Sequence, residues 1–159
     1  MTSCVFPGSF DPVTAGHMNL IARAAGLFDR VTVALMVNIR KSGAIPAEKR
    51  LTLLEKACAG YPNVQVVRWS GLLADFMREN GERIVIRGVR SAFEFDQEWA
   101  SCHANRMLND QFETLFLPAE PGMGGVSSSA VREIAAFGGE IENFVPKGLA
   151  EEIRALLSK

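Results

Sequence analysis

Four short runs of this sequence carry residues suited to holding phosphate. The first is Pro7-Gly8-Ser9-Phe10-Asp11-Pro12-Val13-Thr14-Ala15-Gly16-His17. Gly8 lets backbone approach a ligand closely, and Ser9 brings a hydroxyl. Gly16 and His17 fall at the expected start of a helix, where unpaired N–H groups and the positive dipole end attract anions. A histidine there can donate a hydrogen bond to a phosphoryl oxygen. The plainer reading, a turn at Asp11-Pro12 and an ordinary first-turn residue at His17, leaves the company of Gly8, Ser9 and Thr14 unexplained. The second run, Asn38-Ile39-Arg40-Lys41, offers a point charge at Lys41 suited to a phosphate, against the alternative of a solvated loop lysine. In the third, Arg87-Gly88-Val89-Arg90, a guanidinium at a strand end needs an anion or a carboxylate to meet it. A salt bridge to Glu94 or Asp96 is a serious competing reading for Arg90 and a weak one for Arg87. The fourth, Gly122-Met123-Gly124-Gly125-Val126-Ser127-Ser128-Ser129, reads as a serine-rich helix start. One serine suffices as N-cap, so three in a row suggest phosphate contacts as well.

Elements that could position these runs are legible in the hydrophobic pattern. Short β-rich segments occur at Cys4–Phe6, Val31–Val37, Val64–Val67, Ile84–Ile86 and Thr114–Leu117. Between and after them apolar residues recur at helical spacing: Leu20, Ile21, Ala24, Leu27 and Phe28; Leu51, Leu54 and Cys58; Leu72, Leu73, Phe76 and Met77; Ala130, Ile134 and Phe137; Leu149, Ile153, Leu156 and Leu157. Leu72 reads as core. The strands are near-continuous apolar runs, which a parallel sheet covered on both faces requires. The pattern predicts an α/β fold, a doubly wound, Rossmann-like five-stranded parallel sheet with helices on both faces. Ligands of such sheets bind beyond the carboxyl ends of the strands. All four runs follow strands, so they should converge on one sheet edge.

Bulk properties narrow the function classes. The 159 residues predict one domain over 1–159, with 48% hydrophobic and 22% charged residues. A net charge of −1 provides no global attraction to nucleic acid or to anionic membranes. Cys4, Cys58 and Cys102 are odd in number and widely spaced, which argues against a disulfide framework or a zinc site and for reduced thiols in the cytoplasm. No run is long enough to span a bilayer, and Met1-Thr2-Ser3-Cys4 lacks the basic region of a signal peptide. Neither G-x-G-x-x-G nor G-x-x-x-x-G-K-[ST] occurs, which speaks against a dinucleotide fold and a P-loop NTPase.

The Pro-Gly-Ser-Phe-Asp-Pro-x-Thr-x-Gly-His run resembles the signature of the T/H-x-G-H nucleotidyltransferases. Thr14 opening T-x-G-H, with the later serine run, resembles the phosphopantetheine adenylyltransferases among them. The resemblance extends from Cys4 to about Val145. It implies conversion of 4′-phosphopantetheine and ATP into dephospho-coenzyme A and pyrophosphate, with Mg²⁺ carried by ATP. It also implies a homohexamer and coenzyme A as a candidate inhibitor. By the same resemblance Ser9, Phe10, His17, Gly88, Val89, Arg90, Glu98 and the run Met123, Gly124, Gly125, Val126, Ser127, Ser128 and Ser129 bind ATP. Ser9, Lys41, Leu73 and Arg87 bind the acceptor, and no residue is a metal ligand. Three departures stand out: Ser9 replaces a common threonine, Ile39 replaces a usual proline, and Met123-Gly124-Gly125 stands where aromatic residues are common.

The implied chemistry is an in-line attack of the acceptor phosphate on the α-phosphorus of ATP. A phosphate dianion needs no general base, so positioning and charge stabilisation do the catalytic work. The expected catalytic set is His17 at the α-phosphoryl group, Ser9 orienting the attacking phosphate, Lys41 holding it and Arg90 on the ATP phosphates. The alternative is a sister nucleotidyltransferase using another phosphorylated acceptor such as NMN. A regulatory nucleotide-binding module would predict loss of Ser9, His17 or Lys41, and all three are present.

Overall fold

The computed structural model describes residues 1–158; Lys159, the last residue of the expected domain, lies outside them. The expected α/β architecture is present. Strands β1 (Ser3–Gly8), β2 (Arg30–Met36), β3 (Val64–Trp69), β4 (Ile84–Val89) and β5 (Glu113–Pro118) form one parallel sheet. Helices are α1 (Ala15–Leu27), α2 (Ala47–Cys58), α3 (Leu73–Glu79), α4 (Ala92–Leu108), α5 (Ser128–Ala136) and α6 (Ala150–Leu157). The spatial order β3-β2-β1-β4-β5 means that the chain winds outward from β1, then returns to begin again at β4 on the other side. The switch point therefore lies between β1 and β4. Their register is Val5, near the middle of β1, opposite Val85, near the start of β4. Further along, the Arg87 guanidinium spans the two strands, donating from Nη1 to the Pro7 carbonyl at 3.0 Å.

Side-chain alternation sorts the strands onto two cores. Cys4, Phe6, Val31, Val33 and Leu35 join Ile21 and Ala24 of α1, Leu53 and Leu54 of α2, Val131 of α5 and Ile153 of α6. Val5, Ala34 and Val85 point the other way, onto Ala74, Phe76 and Met77 of α3 and onto Phe112. Burying each large apolar side chain contributes about 1.5–3 kcal/mol. Both sheet faces are thus apolar, which is why the strands read as unbroken hydrophobic runs.

Several residues expected on apolar faces sit outside the cores. Leu72 is 54% exposed because it caps α3, where its carbonyl accepts the Trp69 indole N–H at 3.2 Å. Leu27 ends α1 and Phe137 is the C-cap of α5, and both are exposed at these helix ends. Helix α4 has no counterpart in the periodicity reading. None of its 17 residues is fully buried, so it shows no buried stripe, and Phe93, Phe95 and Trp99 lie exposed along it.

Candidate active site

The convergence of the four runs is observed for three of them. A cavity of about 310 Å³ opens at the carboxyl ends of β1 and β4, at the switch point. Its wall takes Gly8 and Ser9 from the first run, Arg87 to Arg90 from the third, and Met123 with Val126 to Ser129 from the fourth. Gly16, His17, Asn19 and Leu20 of α1 complete one side, and Glu94 and Glu98 of α4 the other.

His17 is held by its own helix start. Thr14, 1% exposed, caps α1 and accepts the His17 backbone N–H through Oγ1 at 3.2 Å. In return the Thr14 backbone N–H donates to His17 Nδ1 at 3.0 Å. This is a capping box in which histidine takes the place usually held by glutamate or glutamine. Its consequence is chemical. Because Nδ1 accepts, the proton of a neutral ring belongs on Nε2. Burial, then the positive charges of Arg90 and Arg87, push the imidazole down to about 4. His17 is therefore neutral at pH 7 and presents a fixed N–H donor. Phe10 wedges behind it, edge-to-face with ring centroids 4.9 Å apart. The Phe10 ring also fills the space over Gly8, where an added Cβ would meet it at 3.0 Å. Its backbone takes a φ of 43°, a left-handed conformation uncommon outside glycine, which aims the ring inward.

Both arginines carry carboxylate partners from α4. Arg87 meets Glu98 with both ends of its fork, Nε to Oε2 at 2.6 Å and Nη2 to Oε1 at 2.7 Å. Arg90 pairs with Glu94, Nη2 to Oε1 at 2.6 Å, and its backbone N–H reaches Glu94 Oε2 at 2.6 Å. These bonds to Arg90 hold the Glu94 carboxyl below its ordinary range. The competing salt-bridge reading of Arg90 is correct for Glu94. For Arg87 the partner is Glu98, which the resemblance had assigned to ATP.

The serine run begins α5. Ser127 is the N-cap, its Oγ accepting the Ala130 N–H at 3.1 Å. Ser128 Oγ donates to the Pro12 carbonyl at 2.8 Å, and Ser129 Oγ accepts Arg132 Nη2 at 3.2 Å. Arg132 Nη1 also donates to the Asp11 carbonyl at 2.6 Å. The hydroxyls thus fasten the start of α5 to the first loop. The uncapped N–H groups of the first helical turn remain as anion donors toward the cavity.

Other expected site residues stand apart. Lys41 is exposed on the loop after β2 and does not line the cavity. Leu73 packs against the α3 core, and Phe10 supports His17 from within the hydrophobic interior. Gly124 and Gly125 are exposed beyond the Met123 rim. Conversely, Asn19, Leu20 and Glu94 belong to the cavity wall without having been named as binding residues, and Thr14, named only as part of the T-x-G-H run, joins them. Thr14 was findable, since threonine three residues before histidine at a helix start is the spacing of a capping box. The place of Leu20 follows from Gly88, where an added Cβ would run into Leu20 Cδ1. That contact joins residues far apart in the chain and leaves no local signal.

The chain matches the family described as cytidylyltransferase-like over residues 5–134, which holds most of β1, all of β2 to β5 and most of α5. A phosphopantetheine adenylyltransferase of Clostridium perfringens is 45% identical over 97% of this chain and 94% of its own length. One from Rubrobacter xylanophilus is 43% identical over 100% of this chain and 97% of its own. One from Rhizorhabdus wittichii is 38% identical over 100% and 96%. With a phosphate-suited cavity at the switch point and similarity along the whole chain, the protein belongs to the cytidylyltransferase-like family, alongside proteins named phosphopantetheine adenylyltransferase.

Proposed function

We propose that this protein transfers the adenylyl group of ATP to 4′-phosphopantetheine, giving dephospho-coenzyme A and pyrophosphate. The carrying observation is His17, whose Nδ1 accepts the Thr14 N–H and leaves Nε2 as the donor, in one cavity with Arg87, Arg90 and the N-terminus of α5. The acceptor phosphate oxygen attacks the α-phosphorus, the bond to the bridging oxygen of the β-phosphate breaks, and pyrophosphate leaves. His17 Nε2–H stabilises charge developing on the α-phosphoryl oxygens, a donor role typically worth about 10²–10³ in rate. Arg90 and the first turn of α5 hold the β- and γ-phosphates, Arg87 and Ser9 the acceptor phosphate. Lys41, exposed on its loop outside the cavity wall, would meet the acceptor phosphate from the rim. Glu94 and Glu98 keep the arginines oriented until phosphate takes their place.

Among the described residues no group of three His, Cys, Asp or Glu side chains gathers as a metal site. The cavity carboxylates are engaged by arginines, so Mg²⁺ would enter on the phosphates of ATP and supply charge neutralisation there. No helix of the described residues is long and apolar enough to cross a membrane; a cytoplasmic location is inferred from the biosynthetic role and not from that. Exposed Phe93, Phe95 and Trp99 on α4, with Leu115 on the edge strand β5, support assembly into the hexamer that the resemblance implies. Coenzyme A, as an analogue of the product, is the candidate inhibitor.

The test is pyrophosphate release from ATP and Mg²⁺ with and without 4′-phosphopantetheine, for wild type and His17→Ala. Release that depends on the acceptor and collapses in the variant is the expected result. Release that ignores phosphopantetheine but responds to NMN would transfer the assignment to a sister activity.

A further inference from the structure

We propose that Asp11 and Arg50, with Gly43 between them, form a clamp that sets where Lys41 stands relative to Ser9. This rests on the reading above that both side chains meet the acceptor phosphate. Asp11 and Arg50 would then be positioning residues: neither touches the reacting atoms, yet the loops they join carry two groups that do.

Arg50 lies on α2 and is 6% exposed. A buried guanidinium is costly unless its donors are met. Here they are divided between two loops. Nη1 donates to the Ser9 carbonyl at 2.7 Å, and Nε to the Ile45 carbonyl at 2.9 Å. Asp11 closes the same junction from the other side. Its Oδ2 accepts the Ala44 N–H at 2.8 Å and its Oδ1 the Ile45 N–H at 2.9 Å. Gly43 stands between the two side chains. A Cβ there would stand 3.0 Å from Arg50 Nη2, Asp11 Oδ2 and the Ile45 carbonyl oxygen at once.

The other end of the Lys41 loop is also pinned, by the Val37 N–H on the Trp69 carbonyl at 2.8 Å. Between these anchors runs the segment 38–42. It is braced internally by Asn38, whose Oδ1 accepts the Arg40 N–H at 2.9 Å and whose carbonyl accepts the Lys41 N–H at 3.1 Å. A strap this short, at no more than roughly 3.3–3.6 Å per extended residue, cannot wander far from its anchors. The position of Lys41 is therefore set by the clamp, and the clamp holds the Ser9 carbonyl in the same grip. An acceptor phosphate would meet hydroxyl and ammonium at a fixed separation.

The experiment is a pair of double-mutant cycles. Arg50→Lys and Gly43→Ala are each made alone and with Lys41→Ala, and kcat and KM are measured for 4′-phosphopantetheine and for ATP. Arg50→Lys keeps the charge but cannot serve both carbonyls. Gly43→Ala wedges the clamp from an exposed position and leaves Asp11 and Arg50 in place. Each clamp variant should raise KM for the acceptor roughly tenfold with little change in KM for ATP, since misplacement by about an ångström is enough to cost that much. The decisive readout is coupling: Lys41→Ala should cost much less in either clamp variant than in wild type. An equal cost of Lys41→Ala in all backgrounds overturns the proposal, as do parallel rises in both KM values or a change confined to the melting temperature. A silent Lys41→Ala in an active wild type overturns it while leaving the adenylyl-transfer reading intact. Wild type without phosphopantetheine-dependent turnover overturns that reading, and the proposal with it.

Discussion

His17 makes a prediction that needs no substrate. Its imidazole stands at about 4 in the folded protein against an ordinary value of 6.5. Between those values the unfolded chain binds a proton that the native state refuses, so stability is present above pH 6.5 and is lost as the pH falls toward 4. The full shift corresponds to at most about 3 kcal/mol, and about 2 kcal/mol of it is lost between pH 7 and pH 4.5. For a chain of this length that is a fall of about 5 °C in Tm. The variant His17→Gln keeps a polar side chain and removes the titration. Urea unfolding of both proteins at pH 7.0 and 4.5 isolates the residue, since every other group titrates in both. Wild type should lose about 2 kcal/mol more than the variant over that interval. The same ring predicts a flat contribution of His17 to kcat between pH 6 and 8, because it is neutral throughout. Equal pH slopes of stability for the two proteins would mean that His17 titrates normally, and the Nε2–H donor argument would fall.

Two further outcomes follow from contacts at the cavity wall. Gly88→Ala should push Leu20 into the cavity, destabilise the fold by about 1–3 kcal/mol and weaken ATP binding; calorimetry with ATP should show affinity returning when Leu20→Ala is added. Glu94→Gln frees Arg90 from its carboxylate, and since such a part-exposed pair is worth about 0.2–1 kcal/mol, pyrophosphate should bind up to about fivefold tighter. An unchanged dissociation constant would show that the pair does not compete with the ligand.

What the sequence revealed depended on whether a residue's role is local. The five strands were legible because both sheet faces are covered, leaving unbroken apolar runs such as Val31 to Val37. The T-x-G-H run was legible because a helix cap is a matter of three or four neighbouring residues. Helix α4 was not, since its apolar residues face outward and no buried stripe marks it. The partnership of Arg87 with Glu98 lay hidden because it joins β4 to a helix whose register the pattern does not give. Lys41 follows a strand as expected, yet it is exposed and is not part of the cavity wall, because a strand end alone does not fix where a loop carries its side chains. Arg50 carries no local signal of its place. Only the fold brings it beneath both loops.

The three cysteines have a practical consequence. Burial pushes the Cys4 thiol up to about 12 and the Cys58 thiol to about 11, so neither supplies thiolate at neutral pH. Cys102 is part-exposed, one helical turn after Glu98 on α4. In the unassembled chain a maleimide dye would therefore attach to one place without any engineered substitution, on the α4 face that also carries Phe95 and Trp99. Labelling blocked in the native protein and restored on dissociation would report that this face is covered by a second copy.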